Sequence, residues 1–158
     1  GIKAGGAHGD DLDGFAGLHG GNGVAGIDRA LKGVGADHFG AIRHHAHVQQ
    51  GGHTRHEVFA VIFLNRANKI KHFEIISSGG ITGTVADPRM ILRKAIEEDA
   101  TSIILSHNHP SGNLTPSKAD EELTLKIKHA ASFFDIKILD HIIVSEEGYF
   151  SFSDEGIL

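Results

Sequence analysis

The amino-acid composition changes abruptly close to Glu57, and this change limits where the chain can build a hydrophobic core. Residues 1–56 contain 15 of the 21 glycines and 8 of the 13 histidines, but only 3 isoleucines. Residues 57–158 contain 15 isoleucines, and Phe15 and Phe39 are the only Phe, Tyr or Trp residues before Glu57. Folding must offset the loss of backbone freedom by burying apolar groups. Only the second part is rich enough in them, so we expect one folded domain there.

The glycine- and histidine-rich segment, residues 1–52, is predicted to be disordered or foreign to the folded domain, which we assign to residues 53–158. A short helix over residues 37–48 is the one element that its apolar spacing favours. The sharp change in composition suggests a frameshift or a fusion upstream of about His53. The histidines clustered towards the end of this glycine-rich segment and just after it are interpreted as adventitious metal binders rather than as a second metal site. They are His44, His45, His47, His53 and His56.

Charge and residue content exclude several classes of function. The chain has no cysteine, so any metal must be held by His, Asp or Glu. The net charge of -5 argues against a broad basic surface that binds nucleic acid, but it does not exclude a local basic patch. No apolar stretch approaches the roughly 20 residues that a membrane-spanning helix requires. We therefore predict a cytoplasmic protein with no membrane association.

The pattern after Glu57 predicts an α/β fold with a mixed, largely antiparallel sheet. Asp87-Pro88 is typical of a helix start and begins a helix that ends at about Asp99. Thr115-Pro116-Ser117 opens a second helix by the same reasoning. Short runs of β-branched and aromatic residues predict the strands. These are residues 58–64, 70–77, 81–85, 103–105, 136–139, 142–144 and 149–152.

Two histidines and one carboxylate form a candidate metal site. His107 and His109 are two residues apart at the end of a buried strand, where alternate side chains point to one face. Asp120 lies in the first turn of the following helix and can reach back towards that strand end. Two His and one carboxylate, with a fourth position left for water, are the ligands of a catalytic zinc ion. The sequence therefore predicts a zinc site at His107, His109 and Asp120.

Two further residues complete the predicted chemistry. Zinc lowers the pKa of a bound water towards about 7, and a nearby carboxylate can accept the water proton and pass it to the leaving group. We assign this general acid and base role to Glu57. Ser117, near the start of the second helix, is the candidate for stabilising the oxyanion. An ordinary surface role for Glu57 and a helix-cap role for Ser117 are the alternatives.

The spacing of these residues resembles the signature of the JAB1/MPN/Mov34 (JAMM) metalloproteases. His107-x-His109-Pro110, then Ser117-x-x-Asp120, with Glu57 upstream, is similar to the JAMM pattern. The segments 64–68, 107–112 and 140–144 resemble the RadC-like bacterial branch. The resemblance covers residues 57–158 and implies a cytidine-deaminase-like, three-layer sandwich with zinc bound. It also implies a metallopeptidase- or isopeptidase-like hydrolase whose substrate is a peptide or protein.

Other interpretations stay open at this stage. The RadC-like name comes from DNA repair, so a non-enzymatic repair or scaffold module is the alternative to a hydrolase, and a metal-dependent nuclease is a third. The complete ligand set favours an enzyme over a scaffold. His141, in the pair Asp140-His141, is interpreted as a structural residue rather than as support for a ligand. Residues 89–94 contain a small basic cluster, interpreted as a solvated helix face.

Overall fold

The computed structural model describes residues 57–79, 86–145 and 148–158. Its elements are five strands and two helices, here numbered in chain order. The strands are β1 (Glu57–Leu64), β2 (Ile70–Gly79), β3 (Ser102–Asn108), β4 (Lys137–Val144) and β5 (Tyr149–Ser151). The helices are α1 (Pro88–Glu97) and α2 (Lys118–Ser132). The segment 1–52, the predicted helix 37–48 and the predicted strand 81–85 lie outside the described residues.

The strands form one mixed sheet in the order β2-β1-β3-β4-β5. β1 pairs antiparallel with both β2 and β3, and β4 pairs antiparallel with β5, whereas β3 and β4 are parallel. Parallel neighbours need a crossover connection, and α2 supplies it between β3 and β4. The predicted α/β class with a largely antiparallel sheet is confirmed. Because β1 and β3 run in opposite directions, the start of β1 lies beside the end of β3.

A tight turn joins β1 to β2 and fixes their register. The Asn65 side-chain oxygen accepts hydrogen bonds from the backbone N–H groups of Ala67 and Lys69, at 2.9 and 3.0 Å. Asn68 has a φ of 57°, a left-handed conformation that Asn tolerates better than most residues. The predicted hairpin is present, and its second strand continues to Gly79.

Both helices begin at capping residues. The Asp87 side chain accepts a hydrogen bond from the Arg89 backbone N–H at 2.9 Å, and Pro88 is the first residue of α1. Ser117 caps α2, and Asp120 completes a reciprocal pair of side-chain-to-backbone bonds with it. Asp120 is therefore held in the first turn of α2, as the sequence predicts.

The prediction of separate strands at residues 136–139 and 142–144 is wrong, because β4 is continuous from Lys137 to Val144. The polar pair Asp140-His141 suggested an interruption, but both residues are buried inside the strand. Each has hydrogen-bond partners that compensate for its burial. The strand instead contains a bulge, where Ile103 pairs with Ile138 and Ile104 pairs with Asp140.

The main apolar core lies between one face of the sheet and the two helices. It joins buried residues of β1 and β3 to Ile91 and Ala95 of α1 and to Ile127 and Ala131 of α2. A second buried cluster, on the other face, consists of residues from the strands and their flanks. Among the described residues, no helix is long and apolar enough to cross a membrane.

Candidate metal site

His107, His109 and Asp120 converge at the end of β3. The Nε2 atoms of the two histidines are 3.0 Å apart. The Asp120 carboxylate has Oδ1 3.1 Å from Nε2 of His107 and Oδ2 3.0 Å from Nε2 of His109. Within the described part of the chain, this is the group of His, Asp and Glu side chains whose ligand atoms approach closely enough to hold a metal ion.

The ring of His109 is oriented by the loop that follows it. Its Nδ1 atom is 2.7 Å from the backbone carbonyl oxygen of Asn113. A carbonyl oxygen can only accept, so the hydrogen of a neutral His109 must be on Nδ1. The Nε2 atom then carries a lone pair that points towards Asp120 and His107. This is the tautomer that can bind a metal.

The ring of His107 is fully buried and held from two sides. It stacks on Phe59, with ring centroids 5.8 Å apart and an interplanar angle of 12°. Its Nδ1 atom is 2.8 Å from Nε2 of His141, which is also fully buried. The Nδ1 atom of His141 is in turn 2.6 Å from Oγ1 of Thr124 on α2. His141, interpreted from the sequence as a structural residue, thus contacts a candidate ligand directly.

Ser117 binds the carboxylate of Asp120 in this structure. Its hydroxyl donates to Oδ2 of Asp120 at 2.7 Å, and its backbone N–H donates to the same oxygen at 2.7 Å. The Asp120 backbone N–H donates to the Ser117 hydroxyl at 3.1 Å. The helix-cap role of Ser117 is therefore present, and it orients the carboxylate towards the two histidines.

Glu57 is the first residue of β1 and is half-buried at the same edge of the sheet. The register pairs Phe59 with His107, which places the start of β1 beside the end of β3. The Asn108 side chain strengthens this junction, because its oxygen accepts a hydrogen bond from the Val58 backbone N–H at 2.8 Å. Asn108 therefore fixes the strand end that carries Glu57.

The ionisable side chains of the site shift one another's pKa values. The hydrogen bond to Asp120 raises the pKa of His109, and the charge of Glu57 acts in the same direction, against the effect of burial. Burial alone would raise the pKa of Asp120, but the adjacent His107 and His109 side chains outweigh it and hold that pKa well below its usual range. Burial lowers the pKa of His141 well below its usual value. Asp120 is therefore an anion facing two imidazoles.

The donor set suits zinc. Zinc prefers nitrogen and oxygen ligands at about 2.0–2.2 Å in tetrahedral sites, which corresponds to about 3.3 Å between neighbouring donors. The two histidine nitrogens are 3.0 Å apart, and each lies 3.0 or 3.1 Å from a different oxygen of the Asp120 carboxylate, which is close to that edge length. His109 and Asp120 are only 15% and 13% exposed, so bulk water competes little for their atoms. The residues present therefore fit a zinc ion with one position left open.

The structure brings together most of the residues that the sequence singled out and adds three. His107, His109 and Asp120 are in mutual contact, Ser117 contacts Asp120, and Glu57 is at the same edge. Thr124, His141 and Asn108 were not predicted to support the site. A signal for Thr124 was available, since it lies four residues after Asp120 and so on the same face of α2. No spacing rule could pair it with His141, which is on another element.

The basic cluster of α1 lies apart from this group of residues and is neutralised by acidic neighbours. Arg93 pairs with Glu97 at 2.8 Å, and Lys94 lies 3.2 Å from Glu98. Arg89 pairs with the helix cap Asp87 at 2.7 Å. These ion pairs leave little unbalanced positive charge on the helix, in agreement with a solvated face.

Comparison with known sequences identifies the family. The sequence profile described as RadC-like JAB domain matches residues 40–157. This chain belongs to the RadC-like JAB domain family. The RadC-like match begins within the segment 1–52 and covers every described helix and strand. The expected resemblance to the JAMM group is thereby confirmed at the level of the family.

Several curated relatives are also similar in sequence, and their names assign no activity. A UPF0758 protein of Flavobacterium johnsoniae is 51% identical over 106 residues, which are 67% of this chain and 46% of that protein. A UPF0758 protein of Leptothrix cholodnii is 41% identical over 118 residues, 75% of this chain and 53% of that protein. One from Streptococcus sanguinis is 43% identical over 107 residues. The RadC-like chain thus spans about half the length of the curated relatives that it matches.

Proposed function

We propose that this RadC-like domain is a zinc-dependent hydrolase that cleaves an amide or isopeptide bond in a peptide or protein. The observation that supports the proposal is the convergence of Nε2 of His107, Nε2 of His109 and the Asp120 carboxylate, with separations of 3.0–3.1 Å. These three side chains would hold the ion. Zinc, when bound, supplies a Lewis acid and lowers the pKa of water towards about 7.

Glu57 is proposed to act as the general acid and base. Glu57 is at the start of β1, on the same edge of the sheet as His107 and His109, and its negative charge contributes to the raised pKa of His109. A carboxylate there can accept the proton of the attacking water and later donate it to the leaving nitrogen. Asn108 keeps Glu57 in register by holding the Val58 backbone N–H.

Ser117 is proposed to donate to the substrate carbonyl oxygen as negative charge develops on it. In this structure the Ser117 hydroxyl donates to Asp120, so this role requires the hydroxyl hydrogen to turn away from the carboxylate. The Ser117 backbone N–H can keep Asp120 oriented while it does so, because it donates to the same carboxylate oxygen at 2.7 Å.

The remaining expectations are part of the same proposal. The sheet would be the middle layer of a cytidine-deaminase-like sandwich, with α1 and α2 as one outer layer. The domain would act in the cytoplasm on a peptide or protein. A role in DNA repair is the alternative, and the net charge of -5 and the paired cations of α1 do not favour direct DNA binding.

The test is zinc content and hydrolysis by the full chain, with a Glu57→Gln variant. We expect Glu57→Gln to keep its zinc but to lose activity on fluorogenic peptide or isopeptide substrates by about 10²–10⁴-fold, because only the proton-transfer group is removed. Glu121→Gln, an exposed carboxylate in the first turn of α2, is the matched control and should retain activity.

Two results would reject the hydrolase assignment. Nucleic-acid cleavage that disappears in Asp120→Ala, without peptide cleavage, would identify a nuclease. Folded protein that binds zinc but cleaves none of the substrates, with Glu57→Gln indistinguishable from the wild type, would favour the scaffold alternative.

A further inference from the structure

A buried chain of polar contacts starts and ends at Asp120 and passes through Thr124, His141 and His107. The Thr124 hydroxyl lies 2.6 Å from the Asp120 backbone carbonyl oxygen and 2.6 Å from Nδ1 of His141. His141 continues the chain through Nε2 to Nδ1 of His107, at 2.8 Å. Nε2 of His107 then faces the Asp120 carboxylate at 3.1 Å. The path therefore leaves Asp120 from its backbone and returns to its side chain.

The direction of every bond in this chain follows from its first one. A carbonyl oxygen has no hydrogen, so the single hydroxyl hydrogen of Thr124 is donated to Asp120. The Thr124 oxygen can then only accept from His141, whose hydrogen must be on Nδ1. A neutral His141 has a lone pair on Nε2, so it accepts from Nδ1–H of His107. The Nε2 atom of His107 is left with the lone pair that a metal ligand needs.

No solvent molecule is needed to complete these bonds. Thr124 is 2% exposed, and both His107 and His141 are 0% exposed. Reversed tautomers would turn the Thr124 hydroxyl towards His141 and leave its oxygen 2.6 Å from the Asp120 carbonyl oxygen with no hydrogen between the two atoms, and bulk water cannot reach this buried pair. The geometry thus selects one arrangement of hydrogens along the whole chain.

We propose that Thr124 and His141 are positioning residues that set the tautomer of His107 for metal binding. This inference rests on the proposed zinc site. Because Thr124 donates to Asp120, the same helical turn would place the carboxylate ligand and determine which nitrogen of His107 is free. The site would then form only when α2 is seated against β3 and β4.

The test compares Thr124→Val, which keeps the shape but removes the hydroxyl, with Thr124→Ser, which keeps the hydroxyl. Zinc affinity of the full chain is measured by competition with a chelator. Long-range ¹H–¹⁵N correlation spectra report the histidine tautomers. Thr124→Val should lower zinc affinity about 10- to 100-fold, the usual cost of losing such support. It should also move the hydrogen of His141 from Nδ1 to Nε2, while Thr124→Ser resembles the wild type.

Thr101→Val is the matched control, because it replaces a threonine hydroxyl with a methyl group just before β3, at the end opposite to His107, and the zinc affinity should not change. Wild-type protein that binds zinc, with Thr124→Val binding equally well, would overturn this inference and leave the proposed function intact. Wild-type protein that binds no zinc would overturn both. The wild-type spectrum tests the inference without any variant, since a hydrogen on Nε2 of His141 contradicts it.

Discussion

Asp140 and His141 are adjacent in β4, and both are almost fully buried. Their hydrogen bonds nevertheless connect them to different parts of the molecule. Asp140 accepts from the backbone N–H groups of His141 and Ser153, at 2.7 and 3.0 Å, and from the Ser151 hydroxyl at 2.6 Å. Burial raises its pKa in spite of these three donors. This network joins β4 to β5 and to the turn that follows, and each of these bonds connects fixed parts of the fold.

The network of His141 ends at a cluster of candidate ligands. It passes through His107 to a carboxylate that faces two imidazole nitrogens. Burial and polarity therefore do not by themselves mark a functional site. In a structural network every donor is paired with an acceptor. The network of His141 instead leaves several lone pairs that point to the same position. The following variants should separate the two networks.

Asp120→Ala, a variant of the network that contains His141, should have the largest effect. It removes one of three ligands, so we expect zinc affinity to fall by at least about 100-fold, more than the loss of a supporting residue would cost. The stabilisation that zinc gives to the folded protein should disappear with it, which is about 2.7 kcal/mol at a zinc concentration of 100 times Kd. Chelator competition and thermal unfolding with and without zinc measure both quantities.

His109→Ala is the companion variant and should give the same loss. Zinc binding that survives in both variants would mean that other histidines hold the metal, and the two networks would then not differ in function.

Asp140→Asn should have a smaller effect and a different one. The amide group would place its own donors opposite the Ser151 hydroxyl and leave it without its present acceptor. We expect the free energy of unfolding to fall by about 1–3 kcal/mol, the range for a buried polar group that loses its partner. Denaturant titration measures this loss, and zinc affinity should change little. A large loss of zinc affinity in the folded variant would show that the two networks are coupled.

Ser151→Ala should have the smallest effect. It removes one donor to Asp140 and the acceptor of the Asp154 backbone N–H, which lies 3.1 Å from the Ser151 hydroxyl. We expect the free energy of unfolding to fall by about 0.5–1.5 kcal/mol, because Asp140 keeps its other two donors and the Asp154 backbone N–H is only partly buried. In the double variant with Asp140→Asn, the two losses should be less than additive, because both variants disrupt the same bond. Full additivity would contradict a shared network.

Local signals in the sequence predicted much of the fold. The hairpin of β1 and β2 followed from β-branched runs on either side of residues 65–68, and the start of α1 followed from Asp87-Pro88. The pairing of β3 with β4 was not predictable, because a parallel pair is decided by packing across a long connection. The continuity of β4 was also missed. Asp140 and His141 resemble a turn until their partners, on β5 and α2, are known.

The sequence was enough to propose the candidate ligands, but not the residues that contact them. His107, His109 and Asp120 follow a spacing that strand and helix geometry explains, since one end of β3 and the first turn of α2 are close along the chain. His141 reaches His107 across 34 residues of chain, and Thr124 reaches His141 across 17. Such contacts depend on the register between elements, which local sequence patterns do not contain.

The proposed zinc site can be tested by anomalous X-ray diffraction from zinc-soaked crystals of the full chain, collected at the zinc absorption edge. A zinc peak is expected about 2.0–2.2 Å from Nε2 of His107, Nε2 of His109 and a carboxylate oxygen of Asp120. A peak at other histidines only, with none between these three side chains, would contradict the proposed site.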